Sequence, residues 1–106
     1  MNSTNIFLKA DKTLYSLSAD SIFFIVVSGK YCHVFTAERE YVVRSPLINL
    51  LDGPLGDCML YWNRSMAYNP EKVTGFTLSE MCFDKFRYIL NPTFYLEFAK
   101  FKHLHN

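Results

Sequence analysis

Few side chains in this sequence could do acid–base, nucleophilic or metal chemistry, and their spacing suits none of it. His33 lies inside an alternating run, residues 31–36, with no sequence neighbour that would mark it as a general base. Asp52 and Asp57 flank Gly53-Pro54-Leu55-Gly56 and read as ordinary turn residues. Cys32, Cys58 and Cys82 are odd in number and lack a C-x-x-C pair, which excludes a disulfide framework and a zinc site. Each thiol reads as a small buried apolar residue in a reducing compartment; Cys58, after Gly56-Asp57, is the least obviously buried. His103 and His105 form an H-x-H without a third ligand nearby, so a solvated chain end is expected rather than a metal pair. A nucleophile elbow, a phosphate-cradling Gly-rich loop and H-E-x-x-H are all missing. The expectation is a protein that binds without catalysing, with no catalytic residues, no metal and no cofactor.

The elements that must position any binding site are mostly strands. Half of the 106 residues are hydrophobic, with ten Phe and seven Tyr, too apolar for a disordered chain. Aromatic and β-branched residues fall in short runs separated by turn signals, the composition of a mainly β fold. Residues 6–8 and 13–15 read as strands around Ala10-Asp11-Lys12. Residues 22–27, Ile-Phe-Phe-Ile-Val-Val, are continuously apolar, as expected of a strand covered on both faces. Residues 31–36 place Cys32, Val34 and Thr36 on one face, and residues 40–44 alternate again. Ser45-Pro46 opens a short helix, with Ser45 as cap, Pro46 at the first helical position and Gly53 as its stop. Leu47, Leu50 and Leu51 share its core side. Residues 59–62, 72–78, 81–83 and 86–90 look extended, and Asn91-Pro92 opens a second helix ending near Lys100, Lys102 and His103. Phe23, Phe24, Phe35, Phe76, Phe83 and Phe86 are assigned to the core, with Trp62 either core or half exposed. Residues 1–106 are read as one domain without repeats. The longest apolar run has six residues, far short of a membrane span, and no basic-then-apolar leader is visible, so a cytoplasmic protein is expected.

The order of elements from about residue 18 to residue 101, about four-fifths of the chain, resembles the LytTR family. Members of that family show a Gly-Asn-Tyr-like turn, a hairpin, a short leucine-rich helix, an Arg-x-His-Arg-Ser-Tyr-(Ile/Val)-Val-Asn stretch and a final basic helix. The counterparts here are Ser28-Gly29-Lys30-Tyr31, then Tyr41-Val42-Val43-Arg44-Ser45-Pro46-Leu47, then Tyr61-Trp62-Asn63-Arg64-Ser65-Met66-Ala67-Tyr68-Asn69, and Tyr95-Leu96-Glu97-Phe98. The most specific piece is Arg64-Ser65, followed four residues later by Asn69 and then by Lys72-Val73. The resemblance implies an elongated multi-stranded β fold whose loops enter successive major grooves of duplex DNA, in a bacterial response-regulator output domain.

On that resemblance the DNA-binding residues are Lys30, Tyr31, Asn63, Arg64 and Ser65. Arg64 leads them, because a guanidinium grips a phosphate or the O6/N7 edge of guanine with two hydrogen bonds. Three departures remove contacts: the family His is Asn63, the preceding Arg is Tyr61, and the Ser-Arg at the start of the last helix is Pro92-Thr93. Asn69 is expected to hold its loop in shape rather than to touch DNA.

Net charge is +1, eleven Lys/Arg against ten Asp/Glu. Phosphate neutralisation supplies much of the affinity of a nucleic-acid binder, so DNA binding here demands a local basic surface. Without one, the alternative is a protein-interaction module on the same fold, with an exposed apolar patch that includes Trp62. A small-ligand sensor would need a sizeable closed pocket, for which the sequence shows no polar cluster. Expected partners are duplex DNA, with a second copy on direct repeats or a protein supplying the signal, and no membrane.

Overall fold

The alternating segments pair into antiparallel ladders in the computed structural model, which describes residues 4–77, 80–83 and 86–89. The chain divides into two compact units, Met1–Pro70 and Glu71–Asn106. In the first, β1 (Asn5–Ala10), β2 (Thr13–Ser18), β3 (Ile22–Ser28), β4 (Tyr31–Thr36), β5 (Glu40–Val43), β6 (Leu60–Asn63) and β7 (Met66–Tyr68) form a seven-stranded sheet. Its order is β2-β1-β5-β4-β3-β7-β6. The β1–β2 hairpin turns at Asp11 and Lys12, both at positive φ (50° and 67°), as a turn matched to right-handed strand twist requires.

β3 is central and apolar because it is paired on both sides, with β4 and with β7. Ile22, Phe23, Phe24 and Ile25 are buried, as the apolar run requires, while Val26 and Val27 towards its end are half-buried. The pairing with β4 slips between Ile22 and Phe24, making Phe23 the extra residue of a bulge. The slip inverts the alternation. Ile22 and Ile25, three apart, both enter the main core, where a regular period of two would have separated them. Phe24 instead stacks on Phe35, with ring centroids 4.5 Å apart.

That core draws Leu8 and Ala10 from β1, Cys32 and Val34 from β4, Tyr41 and Val43 from β5, and Ala67 from β7. Two short helices, α1 (Leu47–Leu50) and α2 (Pro54–Cys58), contribute Leu47 and Leu55, with Leu50, Leu51 and Cys58 half-buried against the same cluster. The capping differs from expectation. Pro46 is the extended residue before α1, not its first helical residue, and the Ser45 hydroxyl donates to the Pro46 carbonyl instead of capping. Nor does Gly53 stop α1, which ends at Leu50 with Leu51 as its C-terminal cap; Gly53 is the residue before Pro54 at the start of α2. Gly53-Pro54-Leu55-Gly56 is therefore a helix entry, not a simple turn, and Asp57 lies in its first turn, where a carboxylate complements the helix dipole.

Asn69 fastens β7 to the start of β3. It is buried; its Nδ2 donates to the Ile22 carbonyl at 3.1 Å, and its backbone N–H donates to the Phe23 carbonyl at 2.8 Å. The expected structural role of Asn69 matches this geometry. Of the aromatic set, Phe23, Phe24 and Phe83 are buried, while Phe35 and Phe76 are half-buried. Trp62 is also half-buried, with its ring edge against Tyr68. The Phe86 side chain, the helix expected after Asn91 and the His103–His105 pair lie outside the described residues.

In the second unit β8 (Val73–Phe76), β9 (Glu80–Phe83) and β10 (Phe86–Ile89) form a three-stranded antiparallel sheet in the order β10-β9-β8. Met81 and Phe83 of β9 are buried. No helix among the described residues is long and apolar enough to cross a membrane.

Two substitutions test these packing constraints. A Cβ on Gly56 would sit 1.9 Å from the Leu51 carbonyl oxygen, so Gly56→Ala forces backbone apart and should cost about 1–3 kcal/mol. The expected result is a lower denaturant midpoint with an unchanged m-value. Asn69→Ala leaves buried carbonyls short of a donor and should cost about 1–3 kcal/mol by the same measurement; an unchanged midpoint would remove Asn69 from its clamping role.

Candidate functional site

The strand order brings five strand ends to one end of the first sheet. β3 ends where β4 begins, joined by the two-residue turn Gly29-Lys30 beyond the last pair, Ser28↔Tyr31. Gly29 takes φ +61° at the first central position, where a hairpin of this hand needs a residue free of a Cβ. β7 pairs with β3 as far as Val26↔Met66, and the Val27 N–H donates to the Ser65 carbonyl at 2.8 Å. The β6–β7 turn, Arg64-Ser65, is thereby held beside the β3–β4 turn. On the other side, the Cys32↔Val43 pair sets the end of β5, and hence Arg44, beside Tyr31.

Each of these connections is tied down locally. Asn63 Oδ1 accepts the Ser65 N–H at 2.8 Å, a side-chain mimic of a backbone turn that closes the loop around Arg64. The β6–β7 register slips between Tyr61 and Asn63, so Trp62 forms a bulge one residue before that loop, a device that re-aims neighbouring side chains. Beneath β5, the buried Cys32 thiol donates to the Ser45 carbonyl at 3.1 Å and secures the strand-to-helix connection. Burial pushes the Cys32 thiol above its ordinary pKa, so it stays protonated and able to donate.

The converging ends enclose a concavity of about 960 Å³, open to solvent. Lys30, Arg44, Arg64 and Asn63 line it, and no carboxylate among the described residues does. All three cations are exposed, and no ion pair among the described residues engages them. The apolar lining of the concavity is Val27, Pro46, Leu47, Ile48 and Tyr61, of which Leu47 is buried while Ile48 and Tyr61 are exposed. Three cations without a carboxylate make a local positive field despite the near-neutral total. Exposed guanidinium and ammonium donors at the tips of a sheet can hold an anion such as a phosphate.

Of the five residues expected to form a site, Lys30, Asn63 and Arg64 line the concavity together. Tyr31 is exposed at the foot of the same hairpin but does not line it, and the backbone of Ser65 is spent on the turn. Arg44, Ile48 and Tyr61 are additions. Arg44 lies on the outward parity of the alternating run 40–44, a signal available in the sequence. That it lines one concavity with Arg64 depends on β5, β4, β3 and β7 being successive neighbours, which no spacing shows.

The remaining reactive groups lie elsewhere. His33 does have a partner: its Nδ1 contacts Glu40 Oε2 across β4 and β5. The contact is a diagonal one set by the His33↔Val42 and Phe35↔Glu40 register, so nothing in the sequence displayed it. The pair is solvent-accessible, contributes little to stability, and does not line the concavity. No group of three or more His, Cys, Asp or Glu among the described residues is arranged to hold a metal.

No family model and no curated protein matches the sequence. Among solved structures, the chain is similar to the LytTr DNA-binding domain of a methyl-accepting/DNA response regulator from Bacillus cereus. The TM-score is 0.67 at 15% sequence identity, over 93% of this chain and 96% of that one. At this identity the likeness is one of fold: the chain has the LytTR-type β fold.

The protonated thiol beneath the site gives a pH test. Its folded pKa is raised above the ordinary 9.0, so the folded state holds the proton more tightly than the unfolded state does. The resulting stability is fully present below pH 9.0 and lost as pH rises through the raised value. Tyr68, also raised by burial, adds a second loss at higher pH. Denaturant midpoints measured from neutrality upward should fall on the alkaline side. In Cys32→Ala that fall should be shallower; an identical alkaline limb would remove the thiol as a cause.

Proposed function

We propose that the concavity binds duplex DNA, and that the chain is the sequence-specific DNA-binding part of a bacterial transcription regulator. The observation that carries this reading is the assembly of Lys30, Arg44 and Arg64 in the lining of one concavity, with no carboxylate among the described residues that line it. Three of eleven cations gathered in this way provide the local basic surface that a net charge of +1 made necessary. The fold shared with a domain described as DNA-binding supports the same reading.

The roles divide by chemistry. Arg64, at a turn tip held by Asn63 Oδ1 and by the Ser65–Val27 bond, is aimed outward at little entropic cost and is the base-edge reader. Lys30 and Arg44 flank it and neutralise phosphates, which position the duplex. Asn63 retains its amide donors while its oxygen shapes the loop. Tyr31, at the foot of the β3–β4 turn, reaches a phosphate through its hydroxyl, and the Ser65 hydroxyl supplies a further donor at the tip. Binding requires no bond to be made or broken, so the chain acts without catalysis, in the cytoplasm where such regulators meet DNA.

A second reading, a protein-interaction module, has one observation in its favour. Phe7 and Leu14 are about two-thirds exposed on neighbouring strands β1 and β2. Trp62, the residue first expected in such a patch, is half-buried instead.

Selection of bound duplexes from random DNA at low and higher salt separates the readings. A short motif should be enriched. Arg64→Ala should cost about 1–3 kcal/mol at one position of that motif if it reads a base. Arg44→Ala should weaken all duplexes alike and lower the salt slope by about one. A folded protein that enriches nothing at the lowest salt overturns DNA binding and leaves the Phe7–Leu14 surface as the interface to pursue.

A further inference from the structure

The lining of the concavity carries more apolar surface than phosphate recognition needs, from Val27, Pro46, Leu47, Ile48 and Tyr61. Ile48 is 69% exposed and Tyr61 is 52% exposed, and both line the concavity together with Pro46 and three cations. Phosphates and sugars wet such a surface without drying it, because most of their atoms are polar. Apolar surface surrounded by donors of one charge matches a different chemistry: a hydrocarbon chain that ends in an anion. The concavity, about 960 Å³ and open to solvent, has room for a small ligand lying along its surface rather than enclosed in it.

We propose that the concavity also binds a small amphipathic carboxylate. The chain lies along Pro46, Ile48 and Tyr61, and the carboxylate accepts hydrogen bonds from the Arg44 and Arg64 guanidinium groups with Lys30 beside them. Charge complementarity selects the occupant: a neutral hydrocarbon leaves the cations unpaired, and an acetate-sized anion leaves Ile48 and Tyr61 in water. Ligand binding stands on the geometry alone. Its consequence, displacement of DNA because both use the same cations, rests on the DNA-binding reading above and would make the site its own effector site.

The test titrates the full chain with decanoate, below its micelle concentration, and follows the Ile48 methyl and the Gly29 and Asn63 amides by NMR. Acetate serves as the charge without the chain, and decyltrimethylammonium as the chain with the opposite charge. Saturable shifts at those positions with decanoate only are expected. Arg44→Gln and Ile48→Gln, both at exposed positions, should each weaken decanoate binding by about tenfold, the effect of losing one good contact. Equal binding of decyltrimethylammonium, shifts centred on Phe7 and Leu14, or no saturable shift would each overturn the proposal.

A second arm adds decanoate to a labelled duplex bound to the wild-type chain. Displacement over the concentration range of the NMR titration is expected, and its absence in the presence of both binding events overturns the shared site. If no duplex binds at all, the DNA reading fails while the NMR titration still decides the ligand.

Discussion

β3 is the strand on which the rest of the first unit depends. It is the only long stretch, Ile22 to Val27, in which no residue is polar, and such a strand is stable only when both edges and both faces are covered. Pairing with β4 and β7 covers the edges. The price of leaving either edge open would be a row of buried, unsatisfied backbone groups. The same double pairing sets the β3–β4 and β6–β7 turns side by side, because both partners run antiparallel to β3 and meet it at its C-terminal end. The Val27–Ser65 hydrogen bond completes that pairing at the rim.

Rigidity at the rim comes from small local devices rather than from bulk. Asn63 closes its own turn, Gly29 supplies the backbone conformation its hairpin needs, and the Cys32 thiol holds the exit of β5 through Ser45. The donors they position are thus ordered before any ligand arrives, which lowers the entropy lost on binding. Further from the site, Asn69 and the Phe23 bulge fix how β3 enters the sheet. The close approach of Gly56 to Leu51 lets two very short helices follow one another across the core face. Helices of this length have no independent stability and persist through packing.

Charge shows how an average conceals a site. Eleven cations against ten anions make the chain nearly neutral, which favours nothing in particular. Arg39 stacks over the Tyr15 and Tyr41 rings, and Arg87 faces Glu80, so those cations are occupied. Among the described residues no ion pair engages Lys30, Arg44 or Arg64, and the three line one concave surface, which concentrates their field. The surface that they share carries apolar and cationic side chains together.

Much of this arrangement was legible in the residues themselves. Alternation announced β4 and β5, the unbroken apolar run announced β3, and Gly29 and Ser45-Pro46 marked where elements turn, because backbone sterics and side-chain period are local properties. Asn69 was read as structural, which its buried bonds to Ile22 and Phe23 fit; Lys30 and Arg64 entered through the family resemblance, not through local pattern. Beyond the reach of local pattern were the bulges at Phe23 and Trp62, the helix entered at Pro54, the His33–Glu40 contact and the concavity that Arg44 and Arg64 both line. A bulge depends on the register against a partner strand. A diagonal contact depends on the same register, and a concavity lined by three cations depends on which strand lies next to which. Local chemistry chose the elements and their exposed donors; long-range pairing, which is settled only when the core closes around β3, decided that those donors face one concavity.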